Sequence, residues 1–238
     1  MKTRILVPIL LMLILALSLT ACGAPPQPTP PPVEEAAEPS APMESVPPAE
    51  GQMIFVIDPD KSQASYAVEE RFLEKALPKL GIKPGLVTTV GVTKLVEGEI
   101  RVNPNDLSQP PGGTVIRVDL RGLTSDQPKR DKWIKENGPN FNKYPYAIFK
   151  AKEIRNAPES YTEGKEINFQ LIGDLTIREI TKPAVFDVTA KMENDVLTGT
   201  ATTQIKMSDF GIEPLVFAKT LTVADEVTVT VELVATRQ

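Results

Sequence analysis

The sequence predicts an all-β protein: an antiparallel barrel of about eight strands, with one short helix between its central strands. Two observations carry most of this. From Met53 onward apolar residues recur at every second position, the mark of strands with one buried face. Against that background only one stretch, Thr124 to Phe149, has a convincing amphipathic helical pattern.

The first element is not part of the barrel. Lys2 and Arg4 precede an apolar run from Ile5 to Leu19, and the run ends in Leu19-Thr20-Ala21-Cys22. Residues 1–21 therefore read as a signal peptide, its apolar run from Ile5 to Leu19 being short for a membrane span of roughly 20 residues. Cys22 is the one cysteine of the chain and stands where a bacterial lipoprotein signal places its nucleophile. Cleavage before Cys22 and lipid attachment to its sulfur are the expectation, with the chain held at the cell membrane or outer membrane, outside the cytoplasm. Residues 22–50 then form a tether dominated by Pro, Glu, Ala and Ser. With no apolar periodicity to bury, this stretch is expected to stay disordered and extended, reaching roughly 80 Å at about 3.1 Å per residue.

Residues 51–238 make the globular domain, a size that suits one all-β unit. Tyr66, Val68, Glu70 and Phe72 share one face of the first long strand. Val90, Val92, Val96, Gly98, Ile100 and Val102 read as one continuous inward face, and Ile116, Val118 and Leu120 as the next. Asn103-Pro104-Asn105-Asp106 and Pro111-Gly112-Gly113 are turn signals between them. In the helix, Asp126 is expected to cap the start with its carboxylate, Pro128 fits the first turn, and Asn137-Gly138-Pro139 stops it. Trp133 and Ile134 should turn inward, followed by Phe141, Tyr144 and Phe149. The helix reads as a plug for one end of the closed sheet.

Beyond it, Ile167, Phe169, Leu171, Leu175 and Ile177 share a face, then Ala184, Phe186, Val188 and Ala190, with a turn at Glu193-Asn194-Asp195. Leu197, Gly199, Ala201, Ile205 and Met207 follow, and Val227, Val229, Val231 and Leu233 close the chain. Small residues at 199, 201 and 203 stand against Phe169 and Phe186. That pattern fits a cavity and a filled core equally well.

The composition excludes whole classes of function. The net charge is −5 with both signs interspersed, so no basic stripe is present to neutralise nucleic-acid phosphates. With no histidine there is no Ser-His-Asp or Cys-His chemistry and no imidazole metal site. A single cysteine excludes an internal disulfide and any CxxC site. Thr176 and Ser208 have no base to activate them, and no spacing pairs Glu69, Glu70 and Asp131 for acid–base work. No catalytic residue, metal or cofactor is expected.

Several segments in series carry a resemblance. Phe55-Val56-Ile57-Asp58-Pro59 with Ser62, then Thr124 with Arg130-Asp131, Phe141, Tyr144-Pro145 and Phe149, are similar to motifs of the YceI-like family. Gly173-Asp174-Leu175-Thr176-Ile177 with Thr181 and Pro183, Ser208-Asp209-Phe210-Gly211 and Asp225-Glu226-Val227 continue the match. The resemblance implies a lipocalin-like barrel that binds a polyisoprenoid or another long-chain amphiphile along its axis. Three places depart from the family pattern: Glu70 stands where a His is frequent, Glu179-Ile180 replaces a Gly before Thr181, and Ile212 to Ala218 is more apolar than usual.

With that implication, the inward faces name an apolar ligand lining of Tyr66, Val68, Phe72, Val92, Ile116, Val118, Phe141, Phe149, Phe169, Phe186 and Phe210. Two polar candidates join it. Strict alternation turns Glu70 inward, where an unpaired carboxylate is costly, so it would meet a ligand head group or a cation such as Arg130. The expectation carried forward is instead that the strand ends at Val68 and Glu70 opens a solvated helix through Glu74 and Leu77. Arg130 with Asp131 reads as an ion pair fixing the helix to the barrel mouth, ahead of a head-group contact. A closed-core module with a partner on its outer face is the alternative to a ligand carrier.

Overall fold

The computed structural model describes residues 47–73, 84–217 and 220–238. The signal segment, Cys22 and most of the tether lie outside the described residues, as do Glu74 and Leu77.

The strands are β1 (Met53–Ile57), β2 (Gln63–Phe72), β3 (Gly85–Thr93), β4 (Val96–Val102) and β5 (Val115–Asp119), followed by helix α1 (Pro128–Glu136). Then come β6 (Tyr146–Arg155), β7 (Ile167–Ile177), β8 (Ile180–Glu193), β9 (Val196–Lys206), β10 (Val216–Phe217) and β11 (Leu221–Arg237). Every pairing is antiparallel, and the sheet closes on itself as an eight-stave barrel. Closure falls to β11. One edge pairs with β9, and the other takes β2 along Leu221 to Glu232 and β1 along Ala235 to Arg237. β1 and β2 thus lie end to end as one interrupted stave, and β3 and β4 form a second.

Each interruption is sutured by a hydroxyl. Between β1 and β2, the Ser62 hydroxyl donates to the Val234 carbonyl at 3.3 Å and accepts from the Val234 N–H at 3.1 Å. This replaces the ladder bonds lost at the kink, and Ser62 is fully buried. Between β3 and β4, the Thr93 hydroxyl donates to the Asp119 carbonyl and accepts from the Leu95 N–H.

The second kink corrects the sequence reading. Thr93 and Val96 both face inward, three positions apart, so the alternation slips by one residue at Lys94-Leu95. In β3 the inward residues are Thr89, Gly91 and Thr93, while Val90 and Val92 face out. Val92 lies opposite Ser65 and exchanges backbone bonds with Thr124 instead of lining the interior.

Two glycines have steric reasons. A Cβ on Gly91 would fall 2.2 Å from the Tyr66 ring, which lies flat across that position from the neighbouring strand. At Gly98 the backbone holds φ at +142°, and a Cβ would meet the Val115 carbonyl oxygen at 2.1 Å. The β7–β8 hairpin turns through Arg178 and Glu179, both at positive φ, and β8–β9 through Asn194 and Asp195 in the same conformation.

α1 ends as expected: the N–H of Asn137 donates to the Trp133 carbonyl at 2.9 Å. Its start differs. Gln127 holds the cap position without a side-chain bond, and Asp126 takes the Arg130 guanidinium at 2.6 Å. A charge-assisted bond one turn along outcompetes a neutral backbone N–H for that carboxylate. Ile134 turns inward with Phe141 and joins Leu123, Phe149, Leu175, Phe186 and Phe210 in the core at the helix end of the barrel. A second core, with Phe55, Ile57, Val96, Val231 and Ala235, packs around the stave formed by β1.

Candidate ligand channel

The barrel interior is hollow over much of its length. One chamber of about 110 Å³ lies towards the end where the loops 103–114 and 156–166 cross, with walls that include Ile100, Leu107, Phe169, Val188 and Leu197. A second, also about 110 Å³, lies towards the helix, walled by Tyr66, Val118, Leu123, Phe149, Leu175 and Phe186. Ile116, Leu171 and Ala201 belong to both walls, so the two chambers adjoin at a waist made by these three side chains and, in line, make up the channel. The lining extends along β7 from Ile167 to Ile177, roughly 25 Å at about 3.3 Å per residue and a tilt near 40°.

Side-chain size makes the void. Ala190, Gly199 and Ala201 occupy neighbouring inward positions on β8 and β9 and line the chamber together with Phe169 and Leu171 of β7, leaving space that larger side chains would fill. Phe169, Val188 and Ala201 face inward yet stay only partly buried, because their inner surfaces border the space. The cavity reading of the small residues is the one the structure supports. On the helix side the walls draw in, as Phe149 and Phe186 meet edge to face with centroids 4.9 Å apart. The walls of both chambers are almost wholly apolar.

The loop end is closed by two connections tied together. The Leu107 N–H donates to the Glu159 carbonyl at 2.8 Å and the Tyr161 N–H to the Pro104 carbonyl at 2.7 Å. Tyr161 anchors its loop to the barrel wall, its hydroxyl donating to the carbonyls of Lys165 and Met192 and accepting from the Met192 N–H.

Of the lining residues expected from sequence, Tyr66, Ile116, Val118, Phe149, Phe169 and Phe186 border the channel. Val68, Phe141 and Phe210 are buried in solid packing at the helix end and border neither chamber. Phe72 sits past the channel, opposite Gly85 and Leu221 at the end of β2. Val92 is on the outer face, for the reason given above. Leu171 and Ala201 were legible as inward residues of their strands, but nothing in the alternation marks a waist. Leu107 and Tyr161 lie in connections where no periodicity points inward.

The strand does not end at Val68. β2 continues to Phe72 and carries Glu70 inward, 4 % exposed. There Arg130 meets it in a two-pronged bond, Nε to Oε1 and Nη2 to Oε2, both 2.9 Å. Burial works against the Arg130 charge, but the bonds to Glu70 and Asp126 outweigh it and hold the guanidinium above its ordinary pKa. Asp131 is not the Arg130 partner. Its carboxylate accepts from the Ser125 N–H and hydroxyl, tying the helix to the segment before it. The helix is therefore fixed to the barrel by an ion pair, as expected, but through Glu70.

Glu70 and Arg130 satisfy each other, which leaves Tyr66 as the polar-tipped side chain between this cluster and the channel. Burial raises the Tyr66 hydroxyl to a pKa of about 12; Arg130 pulls it down, while Asp131 and Glu70 push it further up. It remains a neutral donor under all physiological conditions.

A model of the YceI-like domain matches residues 55–235. Among solved structures, the chain is similar to BcnA of Burkholderia cenocepacia, with a TM-score of 0.55 and 20% identity over 76% of this chain and 99% of that one. It is similar also to a polyisoprenoid-binding domain from Saccharophagus degradans implicated in plant cell wall breakdown, with a TM-score of 0.57 and 10% identity over 78% and 99%. The YceI protein of Campylobacter jejuni matches with a TM-score of 0.48 and 17% identity over 62% and 84%. No curated protein matches the sequence significantly.

Proposed function

Because the chain belongs to the YceI-like family, we propose that it is a binding protein, not an enzyme, that carries a long apolar tail inside its barrel. The ligand class is a polyisoprenoid, an isoprenoid quinone or a similar long-chain amphiphile. One observation carries this reading: two adjoining chambers, in line over roughly 25 Å of the barrel, have almost no polar surface on their walls. Such a wall rewards hydrocarbon at about 0.8 kcal/mol per buried methylene and penalises any unpaired polar group placed against it. The Saccharophagus domain, described as polyisoprenoid-binding, supports the same ligand class at the level of fold.

The carrier works outside the cytoplasm on a lipid anchor at Cys22. The charged start, the short apolar run and the cysteine at its end support this part of the reading. A closed-core partner-binding module is the weaker reading, since its premise was a filled interior.

Native mass spectrometry of the full chain, isolated from its own cells and followed by organic extraction, tests the carrier. A stoichiometric long-chain adduct released on unfolding is expected. A bare protein that also takes up neither solanesol nor a long-chain quinone overturns the reading. Peptide mass analysis of the mature chain tests the anchor: it should begin at a diacylglyceryl-modified Cys22, and an unmodified cysteine inside an intact leader would refute it.

A further inference from the structure

We infer that the waist formed by Ile116, Leu171 and Ala201 sorts ligands by the length of their apolar tail, with Ala201 as the residue that admits or excludes the second chamber. The inference rests on the carrier reading and specifies its ligand class: an unfunctionalised tail long enough to pass the waist and occupy both chambers.

The geometry limits what can sit where. Polar surface is almost absent from both chambers, so a head group housed in either would lose most of its hydration uncompensated. The polar end of the ligand must stay outside the chambers while the tail alone fills them. A short tail fills one chamber and leaves the other without contacts. A long one gains the second wall as well, and affinity grows with the apolar area removed from water.

Passage depends on three side chains from separate staves, β5, β7 and β9. Two are large and branched. Ala201 is the third, paired with Val188 on one side and Val231 on the other. No other residue at the waist has a side chain small enough to leave the gap. A larger residue at 201 would meet Ile116 and Leu171 and divide the channel, taking some space from the wall it gives to each chamber. Because it fills space instead of creating it, the change need not weaken the fold.

The test uses the full chain in digitonin, equilibrated with equal amounts of short farnesol and long solanesol, with bound lipid extracted and quantified. The unaltered protein should favour solanesol by at least about tenfold. Ala201→Leu should abolish that preference by weakening solanesol binding, and leave the melting temperature unlowered. Leu171→Phe narrows the same gap from β7 and should act alike, whereas Ala201→Gly should keep the preference. If the unaltered protein favours solanesol and both enlarged variants still do, the waist does not sort and the carrier reading survives. If the unaltered protein binds neither alcohol, the carrier reading fails and the waist inference falls with it.

Discussion

Arg130 reaches from the first turn of α1 to grip Glu70 at the inner face of β2, Nε on Oε1 and Nη2 on Oε2, both at 2.9 Å. With Asp126 also on Nη1, one guanidinium joins the helix, the segment before it and a barrel strand. Removing one partner of a buried pair costs more than the pair contributes, because the other charge is left behind. Glu70→Ala should therefore destabilise the domain by about 2–4 kcal/mol, somewhat under the fully buried case because Asp126 still offsets Arg130. Glu70→Gln, which keeps one acceptor, should cost less. Denaturant melts of both variants check this, with lipid uptake measured at temperatures where each is folded. Unchanged stability together with lost uptake would instead make Glu70 a ligand contact.

Acid should loosen the barrel through Asp119. Burial alone would raise its pKa, but the Arg121 guanidinium and backbone N–H outweigh it and hold the carboxyl below its ordinary value. A carboxylate depressed in the folded state adds stability that is fully present above its unfolded pKa, about 3.9, and disappears as pH falls through the folded value. Asp119→Asn should thus be less stable than the parent at neutral pH, and the two should converge as pH falls through the lowered folded value. A gap that persists undiminished in acid would show that the loss is not electrostatic.

The Ser62 suture is open to a small change. Ser62→Ala removes a buried hydroxyl that both donates to and accepts from Val234, leaving the Val234 N–H unpaired while its carbonyl keeps the Asp58 N–H at 2.8 Å. A loss of about 1–3 kcal/mol is expected. Hydrogen exchange gives the sharper readout: the Val234 amide should lose protection ahead of its neighbours in β11.

Tyr66 should report on the interior directly. With its hydroxyl raised to about 12, it ionises after an ordinary tyrosine near 10. A spectroscopic alkaline titration of the folded protein should show a late phase that Tyr66→Phe removes. Since the unfolded chain ionises this residue first, its contribution to stability falls as pH rises above about 10. Occupancy of the channel beside Tyr66 should shift that late phase.

The β7–β8 turn offers a gain. Glu179 is exposed and holds φ at +67°, a conformation that costs a non-glycine residue about 1–2 kcal/mol. Glu179→Gly should recover a net ~0.5–1 kcal/mol after the added freedom of the unfolded chain is counted. A lowered melting temperature would mean that Glu179 has a role its exposure does not suggest.

Most of the architecture could be read from the sequence, because one buried face per strand imprints a period of two that survives without any neighbours being known. Ile167 to Ile177 and Val227 to Leu233 show this plainly. The reading went wrong at Val92 because a kink of two residues, Lys94-Leu95, reverses the phase while leaving valines on both sides of it. At Glu70 alternation pointed inward and offered Arg130 as a partner, and the expectation set above it, a solvated helix after Val68, failed because the ion pair makes the buried carboxylate tolerable. Asp126 was assigned the helix cap on local grounds and lost that role to a stronger partner one turn away. As for the channel, Phe169 and Phe186 were legible as inward, but whether an inward side chain meets another or meets space depends on the barrel's width. That is why Phe141 and Phe210 looked the same as Phe149.

The closure by β11 constrains the order of events in the protein's life. Synthesis runs from β1 to β11, so β1 is made well before the strand that closes the barrel: Phe55 finds its partner in Arg237. Until then β9, β1 and β2 each present an open edge, and the interior is a trough instead of a vessel. Folding of such long-range pairings is slow, and it cannot finish before β11 has been made. Nothing can be enclosed until then, and loss of the end of β11 would reopen the wall along its seam. Loading is therefore an act of the closed barrel.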